Sequence, residues 1–130
     1  MYKLKYFTEN HKEKVITFIK ENSFATIVAM DEKYPSATHV PLDIIETGEA
    51  NNKLFFTGHI MKNSDHHKAF LKNENVLVIF NGPHCHVSAS WYSNPVQAST
   101  WNYMTVHAKG KINFGDEAQT KKIVEELTNK

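Results

Sequence analysis

The side chains best suited to chemistry in this sequence are eight histidines and one cysteine, Cys85. His84 and His86 flank the cysteine, and residues two apart in a β-strand point to the same face. Zinc needs three or four converging nitrogen, sulfur or oxygen ligands, and a cupin-like site would place a carboxylate shortly after the paired histidines. The sequence has Ser90 there instead. The pattern favours a structural or ligand-contacting role over a metal site, and we predict no metal.

A long segment without carboxylates could hold an anionic ligand, since no Asp or Glu occurs between Glu74 and Asp116. Its neutral polar and aromatic side chains are His84, His86, Ser88, Ser90, Trp91, Thr100, Trp101, Asn102, Thr105 and His107. Flat indole faces with hydroxyl, amide and imidazole groups would suit a planar, anionic molecule. The residue types alone equally allow both tryptophans to be core residues.

Short strand patterns and few helices surround these residues. Strands are predicted at Phe24–Met30, 36–45, 53–58, 76–80, 85–90 and 103–114, with turns at 31–34 and 48–52. Helices are predicted from a Thr8 cap to Asn22, from Asn63 to Leu71, and after an Asp116 cap. This order favours a small barrel over an alternating α/β sheet. We therefore predict a mainly β fold with flanking helices, forming one domain over residues 1–130.

Charge and cysteine content exclude several classes of function. The 15 cationic residues give a net charge of +1, and all of them are lysine. Arginine is the side chain that pairs bidentately with guanine and phosphate, so direct sequence-specific DNA binding is not expected. One cysteine excludes an internal disulfide, and we find no signal peptide or membrane-spanning pattern. These features predict a cytoplasmic protein.

Ordered sequence blocks resemble one family. The blocks are Gly82-Pro83-His84, Val87-Ser88-Ala89-Ser90-Trp91-Tyr92, Thr100-Trp101-Asn102-Tyr103, Val106-His107, Phe24-Ala25-Thr26, Ala37-Thr38-His39-Val40-Pro41-Leu42 and Gly58-His59-Ile60-Met61-Lys62-Asn63. Together they resemble the PaiB-like FMN-binding negative transcriptional regulators over nearly the whole chain. The resemblance implies a split β-barrel of the pyridoxamine-phosphate-oxidase-like kind, a homodimer, and FMN held in grooves at the dimer interface.

The same resemblance implies three groups of cofactor-binding residues. Thr38 and His39 lie along the isoalloxazine. The phosphate group is held by Thr57, Gly58, His59, Lys62 and Asn63, where a helix start also offers free N–H groups. Trp91, Trp101 and Asn102 complete the pocket from the partner subunit. The residues alone favour a different interpretation, in which Asn63 caps the helix and Lys62 is solvated.

The sequence departs from the family pattern at several positions. Ala89 and Ser99 replace prolines, so two turns lose a fixed φ, and His86 replaces an aromatic residue. Family members usually continue past the equivalent of Lys130, so we expect this chain to lack their C-terminal extension.

Two classes of function remain open at this stage. A flavin-binding or sensing module would act through partners, whereas an FMN-dependent oxidoreductase would transfer electrons to or from a small molecule. No catalytic constellation is visible in the sequence. Cys85 has no activating neighbour, and His107 within a strand is more typical of a structural residue than of a base. We therefore predict no catalytic residue.

Overall fold

A four-stranded antiparallel sheet with the order β2-β1-β5-β6 is the main element of the computed structural model, which describes residues 4–46 and 53–129. Its strands are β1 (Phe24–Met30), β2 (Pro35–Pro41), β5 (Asn75–Val87) and β6 (Thr100–Lys111). A second antiparallel sheet pairs β3 (Asp43–Glu46) with β4 (Leu54–Thr57). The mainly β fold with flanking helices is confirmed at this level.

The described residues form three helices, α1 (Lys12–Glu21), α2 (Asp65–Lys72) and α3 (Glu117–Thr128), with 3-10 turns at Lys5–Phe7 and Ala89–Trp91. Asp116 caps α3 as predicted, because its carboxylate accepts from the Gln119 backbone N–H while the Gln119 side chain accepts from the Asp116 N–H. In the described part of the chain, no helix is both long and apolar enough to cross a membrane.

The core forms around β1, in the interior of the larger sheet. Its alternating pattern buries Ala25, Ile27 and Ala29. Phe80 on β5 is fully buried and packs against Phe56 on β4, with ring centroids 5.3 Å apart. This aromatic contact joins the two sheets through one apolar core.

The prediction of a single strand over residues 36–45 is wrong, since Leu42 separates two strands, β2 and β3. The Leu42 N–H donates to the Ser23 carbonyl oxygen at 2.9 Å, and the leucine side chain is buried in the core. This bond continues the β1–β2 register by one pair beyond Phe24 and Pro41. Because Asn22, just before Ser23, already belongs to the end of α1, the pairing extends no further and the chain after Leu42 pairs with β4. The turn predicted at 48–52 lies outside the described residues.

Thr8 is not the cap of the first helix. Its hydroxyl donates to the Leu4 carbonyl oxygen at 2.9 Å, and α1 begins after His11, which makes no side-chain capping bond. The predicted end at Asn22 is confirmed, because the Asn22 N–H bonds to the last turn of the helix.

The strands predicted at 76–80 and 85–90 form one strand, β5, whose pairing with β6 shifts register between Asn81 and His84. Beyond this shift most residues of both strands are exposed. We call residues 82–87 with 100–104 the β5–β6 arm. Gly82 lies at the base of the arm, where a Cβ would come within 2.5 Å of the Phe18 ring on α1.

Gly82→Ala is expected to lower the free energy of unfolding by about 1 to 3 kcal/mol, because the methyl group would overlap the Phe18 ring. The matched control is Gly110→Ala on β6, where nothing lies within 4 Å of the added Cβ. Urea denaturation of the two variants measures the difference. Equal stability would show that α1 does not pack against Gly82.

Candidate functional site

A cavity of about 300 Å³ lies between the end of β2 and the segment that connects β4 to α2. Its lining residues are Thr38, His39, Val40, Pro41, His59, Ile60, Met61 and His66. Side chains from two separate parts of the sequence therefore meet in one concave surface. Concave, largely apolar surfaces with a few polar groups are typical of small-molecule sites.

Gly58 allows the connecting segment to pass directly over β2. A Cβ at this position would lie 2.6 Å from Leu42 Cδ2 and 2.8 Å from the Pro41 carbonyl oxygen. Real Cβ atoms do not approach other atoms so closely, so any larger residue would push the segment away. Glycine at 58 therefore lets His59 and the residues after it reach the cavity wall.

A tight turn connects the cavity wall to α2. Asn63 has a φ of 67°, and it is the only non-glycine residue in the described ranges with a positive φ. Ser64 is the N-cap of α2: its hydroxyl donates to the Met61 carbonyl oxygen at 2.7 Å and accepts from the His67 N–H at 3.3 Å. Lys62 and Asn63 thus lie in an exposed turn at the helix start.

The expectation of free N–H groups in the first turn of α2 fails at two positions. Ser64 already caps the His67 N–H, and the Asp65 carboxylate accepts from the His66 N–H at 2.8 Å. Asn63 and Ser64 precede the helix. The first turn satisfies these donors internally, because Ser and Asp at a helix start bond readily to nearby backbone.

The lining of the cavity contains three imidazoles, one hydroxyl and no carboxylate. His66, which the sequence analysis missed, is only 15% exposed at its side chain. Its Nε2 lies 2.9 Å from Ser64 Oγ, and its Nδ1 lies 3.3 Å from Asp65 Oδ1. The sequence signal that could have identified His66 is its position in the first turn of a predicted helix, directly after the proposed phosphate-binding residues. The polar wall therefore favours an anion over a cation.

An ion-pair cluster holds the far end of α2. Lys72 Nζ lies 2.9 Å from Glu32 Oε1 and 3.5 Å from Asp31 Oδ1, both in the turn between β1 and β2. The hydrogen bond and charge of Glu32, together with the charge of Asp31, raise the pKa of Lys72. The Glu32 backbone N–H, which bonds to the Asp31 carboxylate at 2.8 Å, is the main cause that lowers the pKa of Asp31. The helix behind the cavity is thus tied to the larger sheet.

The ten residues proposed from the sequence fall into two places. Thr38, His39 and His59 line the cavity. Thr57 ends β4, and Gly58, Lys62 and Asn63 belong to the connecting segment, so these seven residues share one region. The remaining three are not part of the lining: Trp91 ends a 3-10 turn, while Trp101 and Asn102 lie on the β5–β6 arm.

The β5–β6 arm carries an exposed aromatic cluster. The Trp101 ring centroid lies 6.0 Å from that of His84 and 5.6 Å from that of His86, so the two imidazoles share a strand face as expected. Cys85 is exposed and pairs in register with Asn102. Across the residues that the structure describes, no group of three His, Cys, Asp or Glu side chains is arranged to hold a metal ion.

A second cavity of about 370 Å³ lies where α1 meets β6. It is lined by Glu13, Lys14, Thr17, Phe18, Glu21 and Met104. Its two carboxylates oppose an anionic ligand, and none of the proposed site residues belongs to it. The smaller cavity next to β2 is therefore the better candidate site.

Comparison with known proteins identifies the family of the chain. The family model described as "Putative FMN-binding domain" matches residues 1–130. The chain is 38% identical to "Protease synthase and sporulation protein PAI 2" of Bacillus subtilis (strain 168) over 128 residues, which cover 98% of the chain and 58% of that protein.

Two fungal proteins are similar over shorter shares of the chain. An uncharacterized protein of Aspergillus fumigatus is 31% identical over 145 residues, covering 86% of the chain and 56% of that protein. An uncharacterized protein of Emericella nidulans is 30% identical over 129 residues, covering 74% and 51%. The chain thus spans about half the length of these relatives.

Proposed function

Since the chain belongs to the FMN-binding domain family and its cofactor is FMN, we propose that it is a flavin-binding or sensing module with a regulator-like role. The observation that carries this proposal is the carboxylate-free cavity where Thr38, His39 and His59 meet. The proposed unit is a single domain over residues 1–130. The one cysteine suits a reducing compartment, which supports a cytoplasmic location.

The chemistry of the cavity fits FMN. Val40, Ile60 and Met61 offer apolar surface to a planar ring, while Thr38 and His39 offer hydrogen-bonding groups to its polar edge. Imidazoles and the nearby Lys62 and Asn63 would hold the phosphate group, with no lining carboxylate to repel it. When bound, the flavin supplies one- and two-electron redox chemistry.

A homodimer with a split-barrel architecture is the second part of the proposal. Trp91 is 72% exposed and Trp101 is 59% exposed, and Tyr103 and Met104 of the β5–β6 arm are also exposed. Monomeric proteins rarely leave so many large apolar side chains in contact with water. A second copy would cover the arm, and the arm's Trp101 and Asn102 would then complete the pocket of the other subunit.

The regulator-like role does not require direct DNA binding. The chain has no arginine and a net charge of +1. On α3, Lys122 pairs with Glu126 at 3.8 Å, so this helix carries compensated charges and not a basic stripe. We therefore propose that any effect on transcription passes through partners.

The FMN-dependent oxidoreductase remains the alternative. The flavin itself could carry electrons to a small molecule, and the cavity is open enough to admit one. The imidazoles of the lining are the only titratable side chains there, and His66 is already bonded to Ser64. A binding or sensing role needs no further catalytic group and is the simpler proposal.

The purified protein is expected to scatter light as a dimer of about twice 14.9 kDa at micromolar concentration. Tyr103→Lys on the arm should shift it to the monomer, because a charge would be buried at the interface. Tyr34→Lys, at an exposed position in the turn before β2, is the matched control and should leave the dimer intact. A wild-type monomer with FMN bound would contradict the interface model.

Lys62→Ala is expected to weaken FMN binding by about 1 to 3 kcal/mol and riboflavin binding much less, because only FMN has the dianionic phosphate. Fluorescence titration with both flavins measures the two losses. Lys109→Ala removes the same charge from exposed β6 and should change neither affinity. Equal losses for both ligands at Lys62 would move the phosphate site elsewhere.

The purified protein loaded with FMN is expected to show visible flavin absorbance, no multiple-turnover oxidation of NADH or NADPH, and no tight, salt-sensitive retardation of DNA. Absorbance spectra, a nicotinamide oxidation assay and gel retardation measure the three properties. Sustained turnover would favour the oxidoreductase, and tight DNA retardation would replace the indirect regulatory role with a direct one. Absence of the flavin bands would reject the cofactor-based proposal.

A further inference from the structure

Two side chains at the start of α2, those of the N-cap Ser64 and of His67, hold the turn that carries Lys62. On one side of Lys62, the Met61 carbonyl oxygen accepts from the Ser64 hydroxyl at 2.7 Å. On the other side, the Asn63 backbone N–H donates to His67 Nδ1 at 3.3 Å. The backbone on both sides of Lys62 is therefore bonded to the start of the same helix.

The hydrogen bond from Asn63 fixes the tautomer of the neutral His67 ring. A backbone N–H can donate only to a ring nitrogen that carries no proton, so Nδ1 is the acceptor and the proton of the neutral ring is on Nε2. The ring also lies edge-on against Phe114, with centroids 4.9 Å apart and planes at 61°. This contact from the segment after β6 holds the ring in place to receive the Asn63 N–H.

We propose that His67 is a positioning residue for ligand binding: its Nδ1 keeps Asn63 in the left-handed conformation and so holds Lys62 at the phosphate side of the cavity. A positive φ at a residue such as Asn63 persists where neighbouring groups hold the backbone. Among the described residues, the group that accepts a hydrogen bond from the Asn63 N–H is the His67 imidazole. The role of His67 toward the phosphate rests on the proposed function. The hydrogen bond itself does not.

Two substitutions of His67 distinguish the effect of losing the hydrogen-bond acceptor from the effect of changing the side-chain size. In His67→Asn the amide oxygen can stand near the place of Nδ1, whereas in His67→Gln the polar end stands near the place of Nε2. We expect His67→Gln to weaken FMN binding about tenfold and riboflavin binding by less than about twofold, as loss of one ordering hydrogen bond predicts. His67→Asn should stay within about threefold of the wild type for both ligands. His11→Gln, the same change at the start of α1, should alter neither affinity.

A measurement without ligand tests the bond in the wild-type protein. Nitrogen-15 NMR at neutral pH should find Nδ1 of His67 unprotonated and coupled to the Asn63 amide. A protonated Nδ1, full FMN affinity in His67→Gln, or equal losses in the Asn and Gln variants would overturn the proposal. If the wild type binds no FMN, the proposed function fails, and the NMR result alone then decides whether His67 holds the turn.

Discussion

The close approach of Gly58 to β2 is the contact on which the candidate site depends. Because a Cβ would meet Leu42 and the Pro41 carbonyl oxygen below 3 Å, the backbone after β4 can lie against the end of β2 only with glycine at this position. Leu42 is itself fixed by its bond to Ser23 and by burial in the core. The cavity is thus built on a core contact and not on surface loops alone.

The helix behind the cavity connects the site to the rest of the fold at both ends. Its N-cap Ser64 bonds to Met61 and its His67 to Asn63 of the connecting segment, and its last residue pairs with the turn between β1 and β2. Ala69 and Phe70, in its middle, are buried in the core. The position of the cavity wall relative to β2 therefore depends on how α2 packs.

Sequence reasoning predicted the elements whose signals are local. β1 has the predicted bounds because its alternating apolar residues pack on one face, and Asp116 caps α3 through bonds within one turn. The break at Leu42 could not be predicted from residues 36–45 themselves, because it lies where the partner strand β1 gives way to the end of α1. Likewise, separate strands were predicted at 76–80 and 85–90, yet β5 continues through Gly82, where the Phe18 ring of α1 occupies the space that a side chain would fill.

For the site, the sequence blocks identified Thr38, His39 and His59 of the cavity, since neighbouring residues of one strand or segment stay together in any fold. His66 and His67 were missed, because their roles depend on which way the first turn of α2 faces. Trp91, Trp101 and Asn102 lie outside this lining, and a single chain does not determine what covers them. Positions within one element were predictable, whereas contacts between elements were not.

The order of strands in the larger sheet also affects how the chain folds. β1 with β2, and β5 with β6, are hairpins between strands adjacent in sequence, whereas β1 and β5 pair residues as distant as Thr26 and Ile79. Loop-closure entropy is larger for this central pairing than for a hairpin turn. Local hairpins can therefore form early, and the docking of β1 on β5 is the step with the greatest entropic cost. Two hairpins that form first would then meet along the edges of β1 and β5, so backbone hydrogen bonds between strands far apart in the sequence complete the sheet.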